Sequence, residues 1–130
     1  MTVSFTLPYP PSVNHYWKPF NGRMVIGKAG RDYRNAALAT LCAQNVPRES
    51  LGGRLKVEMV IYNPDRRRRD LDNIQKALLD ALVVGKVIED DGNIDELHIV
   101  RGPVTPGGSV TVWIDAMTDE LSFPRRQDRR

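Results

Sequence analysis

The segment from residue 55 to residue 85 reads LKVEMVIYNPDRRRRDLDNIQKALLDALVVG, with a strand pattern, an arginine run and a helix pattern in that order. Over residues 55–62 apolar side chains occupy alternate positions, which predicts a strand with one buried face. Asn63 and Pro64 break that pattern, so the arginine run is expected to lie in a loop. Over residues 71–84 apolar residues recur at helical spacing, with Asp70 as the expected N-cap and Gly85 as the expected C′ residue.

Patterns on either side of this segment predict one more helix and further strands. Strands are expected over residues 2–7, 23–26, 96–104 and 109–116, a helix over residues 29–45 and a loop over residues 12–20. The turn Pro106-Gly107-Gly108 is expected to join the last two strands as a hairpin. This order favours an α+β fold, a single mixed β-sheet with two main helices packed on one face. We expect one domain over residues 1–117 and a flexible basic tail over residues 118–130.

Composition narrows the class of protein. The chain has 130 residues and a net charge of +3, which suits one globular domain and a polyanionic partner. A single cysteine, Cys42, excludes an intrachain disulfide, so a cytoplasmic location is expected, with Cys42 in the core. No segment approaches the roughly 20 apolar residues of a membrane span. Basic side chains are concentrated in the central run and in the tail, at Arg125, Arg126, Arg129 and Arg130.

The central segment combines phosphate-binding and metal-binding residue types. The run Arg66, Arg67, Arg68 and Arg69 leads directly into Asp70 and Asp72. Guanidinium groups match phosphate oxygens, and closely spaced carboxylates are the ligands that Mg²⁺ prefers. A second acidic cluster, Glu89-Asp90-Asp91, follows one helix length later. A metal-dependent phosphodiesterase needs both phosphate-binding and metal-binding groups. Each feature also has a simpler explanation: the arginine run as a solvated loop, Asp70 and Asp72 as acids that stabilise a helix N-terminus, and residues 89–91 as an acidic turn.

Lys76 extends this set along the predicted helix. Asp72, Lys76 and Asp80 are spaced at i, i+4 and i+8, so they share a polar face. Lys76 could form a surface bridge with either acid, or it could stabilise charge on a scissile phosphate. The sequence pattern leaves both roles open.

Two other motifs carry less weight. Residues 22–29, GRMVIGKA, approach a phosphate-binding loop, but Ala29 replaces the hydroxyl residue that coordinates Mg²⁺ and the middle is strand-like. A nucleotide-hydrolysing enzyme is therefore rejected. The aromatic loop with His15, Tyr16 and Trp17 could stack on unpaired bases, but packing of Tyr16 and Trp17 under the sheet is the favoured explanation.

The residues now described resemble the RusA family of Holliday junction resolvases. The resemblance covers roughly residues 5–116 and is carried by DRRRRDLDNIQKA at 65–77, DAL at 80–82 and the acid pair at 90–91. The opening LPYPPSVN at 7–14 and the turn PVTPGG at 103–108 also resemble that family. The resemblance implies a small homodimeric endonuclease that cuts four-way DNA junctions symmetrically with Mg²⁺ or Mn²⁺, and a phage or prophage origin is plausible.

The resemblance also implies roles for individual residues. The essential acids and metal ligands would be Asp70, Asp72 and Asp91, and the essential lysine would be Lys76. Asp90 is an adjacent acid that could also bind metal, and the run Arg66, Arg67, Arg68 and Arg69 would contact DNA. Two other classes remain open: a metal-dependent nuclease for flaps or single strands, and a DNA-binding module without catalysis.

Overall fold

The structure is a computed structural model that describes residues 2–118. Its strands are β1 (Thr2–Leu7), β2 (Trp17–Phe20), β3 (Arg23–Ile26), β4 (Leu55–Tyr62), β5 (Ile94–Arg101) and β6 (Ser109–Ala116). Its helices are α1 (Val13–Tyr16), α2 (Lys28–Ala43) and α3 (Asp72–Val84), and a 3₁₀ turn covers Asp91–Asn93. The sequence prediction of residues 12–20 as a loop is wrong, because α1 and β2 occupy most of that segment.

A mixed four-stranded sheet has the order β1-β6-β4-β5, and β2 and β3 form a separate two-stranded sheet. Strand β6 runs antiparallel to both β1 and β4, whereas β5 runs parallel to β4. The parallel pair follows from α3, because a helical crossover returns the chain to run in the same direction as β4. The predicted hairpin of the last two strands is therefore wrong: β5 and β6 lie on opposite sides of β4.

One face of the four-stranded sheet forms the core. Buried and less buried residues alternate along β1, β4 and β6, so each strand turns one set of side chains towards the helices. Buried residues of α2 and α3 join the same cluster, which confirms an α+β fold with both main helices on one face. The buried residues of α3 are Ile74, Ala77, Leu78, Ala81 and Leu82.

Both ends of α3 differ from the sequence expectation. Leu71, not Asp70, precedes the helix as its N-cap, and it has helical φ and ψ of −61° and −36°. Gly85 follows the helix with φ −74°, and the left-handed residue is Lys86 with φ 60°. A Cβ on Gly85 would lie 2.6 Å from Leu41 Cδ1, so the glycine permits close packing of α2 on α3.

Two further expectations concern exposure and the chain end. Cys42 is exposed, so its predicted place in the core is wrong; the buried stripe of α2 passes through its neighbour Leu41 instead. None of the helices within residues 2–118 has the length and hydropathy needed to cross a bilayer. The predicted basic tail falls almost entirely outside the described residues.

Candidate functional site

The arginine loop is organised by Asp65. Its carboxylate accepts a hydrogen bond from the backbone N–H of Arg67 at 2.9 Å and from Arg69 Nη2 at 3.1 Å. These contacts hold the pKa of Asp65 well below its usual range, with the Arg69 hydrogen bond as the largest cause. Asp65 is therefore anionic across the neutral range and fixes the course of the loop.

Arg69 is further fixed by two contacts. Its guanidinium carbon lies 5.7 Å from the centre of the Tyr9 ring, and its carbonyl oxygen accepts a hydrogen bond from Arg101 Nη2 at 2.6 Å. Within residues 2–118, Arg66 and Arg68 have no such partners, and both are exposed. The loop therefore contains tethered arginines and arginines whose guanidinium groups face solvent.

The arginine loop borders a basic depression on the surface. It is lined by Asn63, Asp65, Arg66, Arg67, Arg68, Arg69, Asp70, Arg101 and Val104. Asp70 is exposed at its border, and its side chain makes no hydrogen bond or ion pair with the other described residues. The predicted DNA-contact residues and one predicted metal ligand thus lie together.

The polar face of α3 does not form the salt bridges considered from the sequence. The Lys76 ammonium lies 5.1 Å from the centre of the Trp17 ring. Asp80 pairs with Arg34 of α2, with 2.8 Å between Arg34 Nε and Asp80 Oδ2. In the part of the chain that the structure describes, Asp72 has no hydrogen-bond or ion-pair partner and is exposed.

Asp80 also accepts a hydrogen bond from the Tyr16 hydroxyl. Burial of the Tyr16 ring, followed by this hydrogen bond, raises the pKa of Tyr16 to about 12. The centres of the Tyr16 and Trp17 rings lie 5.1 Å apart. Asp80 is therefore linked through Tyr16 to Trp17, the ring that the Lys76 ammonium contacts. Arg34 is a residue that the sequence reasoning did not consider.

The acidic turn lies beside Lys76. Asp90 accepts a hydrogen bond from the backbone N–H of Gly92 at 3.1 Å and begins the 3₁₀ turn that contains Asp91. One depression is lined by Trp17, Lys76, Asp80, Val83, Asp90 and Asp91. The structure thus brings the predicted essential lysine together with the predicted acid pair, across 14 to 15 positions of sequence.

A metal site needs oxygen ligands at suitable spacing. Asp70, Asp72 and Asp91 supply carboxylates that no described residue engages, and such oxygens suit Mg²⁺. Within residues 2–118, however, no three His, Cys, Asp or Glu side chains are grouped closely enough to hold a metal ion. Mg²⁺ commonly uses one or two carboxylates with substrate phosphates and water, so the donors fit a site that DNA completes. The assignment of metal ligands stays a prediction.

Comparison with known proteins identifies the family. The family model described as Endodeoxyribonuclease RusA matches residues 8–114. This chain belongs to the RusA family. The resemblance seen in the sequence is confirmed.

Curated RusA relatives match along nearly their whole length. The chain is 38% identical to the crossover junction endodeoxyribonuclease RusA of Escherichia coli over 119 residues, covering 92% of this chain and 98% of the relative. It is 39% identical to the protein of the same name from Shigella sonnei, with the same coverage. It is 38% identical to that of Enterobacteria phage 82, again over 92% of this chain and 98% of the relative. Relatives in a phage and in bacteria agree with the expected association with prophages.

Proposed function

We propose that the protein is a crossover junction endodeoxyribonuclease that cuts four-way DNA junctions during recombination. The observation that carries the proposal is that Lys76, Asp90 and Asp91 line the same depression. The chain also aligns with RusA relatives over 92% of its length. The basic depression with Asp70 supplies the second requirement of a nuclease, a surface that binds phosphates.

Different residues of the chain bind the DNA, hold the loop in shape and stabilise charge during hydrolysis. Arg66 and Arg68, with solvent-facing guanidinium groups, bind phosphates of the DNA backbone. Asp65 and Tyr9 hold Arg69 so that the loop keeps its shape when DNA arrives. Lys76, kept over the Trp17 ring, places a positive charge where negative charge develops on the scissile phosphate.

Mg²⁺, with Mn²⁺ as a substitute, is the proposed cofactor. Asp70, Asp72 and Asp91 are the proposed ligands, with Asp90 beside them. When bound, the ion would neutralise phosphate charge and lower the pKa of an attacking water. The exposure of these carboxylates, and their lack of partners within residues 2–118 other than the Gly92 contact of Asp90, supports this role.

A homodimer is the proposed assembly. A four-way junction has approximate two-fold symmetry, and paired nicks in opposed strands need two active sites. A C₂ dimer provides both sites through one self-complementary interface.

Cleavage of a synthetic four-way junction tests the function. The wild-type protein is incubated with the junction, with Mg²⁺ or with EDTA, and each labelled strand is resolved on a denaturing gel. Paired symmetric nicks that require the metal are expected, with flaps and linear duplex cut far more slowly. Equal cutting of flaps or linear duplex would indicate a different nuclease, and tight binding without nicks in Mg²⁺ or Mn²⁺ would indicate a binding module.

A further inference from the structure

The β2–β3 hairpin presents two chemically different faces. Pro19 pairs with Met24 and Phe20 pairs with Arg23 across the two strands. Because side chains alternate along a strand, Pro19 and Met24 point to one side, and Phe20 and Arg23 point to the other. Met24 and Phe20 are both strongly exposed, at 63% and 56%, so the hairpin offers an apolar side chain on each face.

The Met24 face borders a groove between the hairpin, α1 and α3. Its lining is Val13, Asn14, Trp17, Pro19, Met24 and Lys76. The walls are apolar, and the polar groups are the Asn14 amide and the Lys76 ammonium. Apolar walls with one amide suit a nucleobase, because an asparagine amide can both donate to and accept from a base edge.

The groove is continuous with the candidate catalytic depression. Trp17 and Lys76 line both. A base lying against Met24 and Pro19 would therefore carry its own phosphate towards Lys76, Asp90 and Asp91. Binding of a base in the groove would thus determine which phosphodiester bond lies at the catalytic depression.

Charge favours a nucleic-acid occupant over a second copy of the chain. Within residues 2–118, Lys76 is the one charged side chain that lines the groove. Lys18 and Arg23 point to the opposite face of the hairpin, and Lys28 pairs with Asp32. Lys76 attracts the phosphodiester backbone beside a bound base, whereas a self-complementary contact between two copies of the groove would bring two Lys76 ammonium groups together.

We propose that this groove binds one unpaired nucleobase of the strand being cut and thereby sets the base preference at the cleavage site. The inference rests on the proposed junction-cutting function and extends it to substrate sequence. Unpairing is least costly at a branch point, where bases are already distorted, so the groove also contributes to selection of branched over linear DNA.

Mapping of cut sites tests the proposal. The substrate is a junction with a mobile core, so that the branch point samples many sequences. Asn14→Ala and Met24→Ala are compared with Phe20→Ala, which truncates a similarly exposed side chain on the opposite face of the same hairpin. The base preference at the cut is expected to fall about tenfold in the first two variants and to persist in the control. An unchanged preference in Asn14→Ala and Met24→Ala, or an equal loss in all three, would overturn the proposal.

A second measurement does not depend on cleavage. The fluorescent base 2-aminopurine is placed beside the preferred cut, or at successive core positions if no cut occurs, and fluorescence is recorded on binding in EDTA. A rise on unstacking is expected with wild-type and Phe20→Ala protein, reduced in Asn14→Ala and Met24→Ala. If fluorescence rises but Mg²⁺ yields no nicks, the proposed nuclease function fails while the base site stands. The absence of any rise, or a lower molar mass of Met24→Ala in light scattering that marks the groove as a subunit interface, would overturn the base site.

Discussion

The carboxylate of Asp80 is bound by two nitrogens of Arg34, with distances of 2.8 Å from Nε to Oδ2 and 3.1 Å from Nη2 to Oδ1. This bidentate pair joins α2 to α3 on the same helical face as Lys76. Its geometry is the one in which arginine and carboxylate interact most strongly. Both side chains are partly shielded, with exposures of 30% and 21%.

Arg34→Ala is expected to lower the free energy of unfolding by about 1–3 kcal/mol, because Asp80 would lose its charged donors in a partly buried place. Chemical denaturation measures this change. The matched control is Lys28→Ala, which removes an exposed ion pair with Asp32 at 2.7 Å. The control should cost under about 1 kcal/mol. Equal losses in the two variants would show that the Arg34 pair has no special role.

Local patterns predicted much of the fold, and the errors have a physical reason. Alternation in β4 and β6 marks a strand and its buried face, but it does not say which strands become neighbours. The crossover through α3 decided that β5 pairs with β4, which no pattern within β5 reveals. In the same way Asp70 and Lys76 stand out in the sequence, whereas Arg34 meets Asp80 across 46 positions and has no local signal.

Tyr16→Phe is expected to flatten the alkaline dependence of stability. The pKa of Tyr16 is raised from 10.0 to about 12 in the fold, so the neutral phenol is favoured there. Its contribution to the free energy of unfolding is complete below pH 10.0 and is lost as the pH rises through about 12. Buried Tyr33 also has a raised pKa. Because Tyr33 is present in both proteins, its contribution to the alkaline dependence of stability is the same in each.

Chemical denaturation of the wild-type and Tyr16→Phe proteins, from neutral to strongly alkaline pH, measures the free energy of unfolding of each. The difference between them is the contribution of the Tyr16 hydroxyl. The difference between the two proteins should shrink as the pH rises above 10.0. A constant difference across that range would contradict the assigned environment of the hydroxyl.

Arg66→Ala with Arg68→Ala should weaken junction binding in a salt-dependent way. Each phosphate contact releases counterions, so removing two contacts should lower the slope of log affinity against log salt by about 2. Fluorescence anisotropy over a salt series measures the slope. Arg48→Ala is the control, because Arg48 Nε already donates to the Gly85 carbonyl at 2.8 Å. A slope that stays unchanged in the double variant would exclude phosphate binding by these side chains.

Asp72→Asn should abolish cleavage while junction binding is retained. Asp72 is exposed and has no ion-pair or hydrogen-bond partner within residues 2–118, so its replacement should leave the fold intact. Asp32→Asn is the control, since Asp32 contributes an exposed ion pair on α2. Strand-resolved cleavage and anisotropy are measured on the same preparations. Cutting by Asp72→Asn at the wild-type rate would remove Asp72 from the metal site.

Metal binding is expected to depend on DNA. No three acidic, histidine or cysteine side chains within residues 2–118 are grouped closely enough to hold an ion, so the free protein should bind Mn²⁺ weakly. A junction adds phosphate oxygens to the carboxylates, and Mg²⁺-type ions are commonly held by such mixed sets. Calorimetric titration of Mn²⁺ into Asp72→Asn and wild-type protein, each with and without a non-cleavable junction, measures the coupling. Tighter binding only for wild type with the junction is expected. Equally tight binding by the free wild-type protein would mean that the carboxylates form a complete site before DNA arrives.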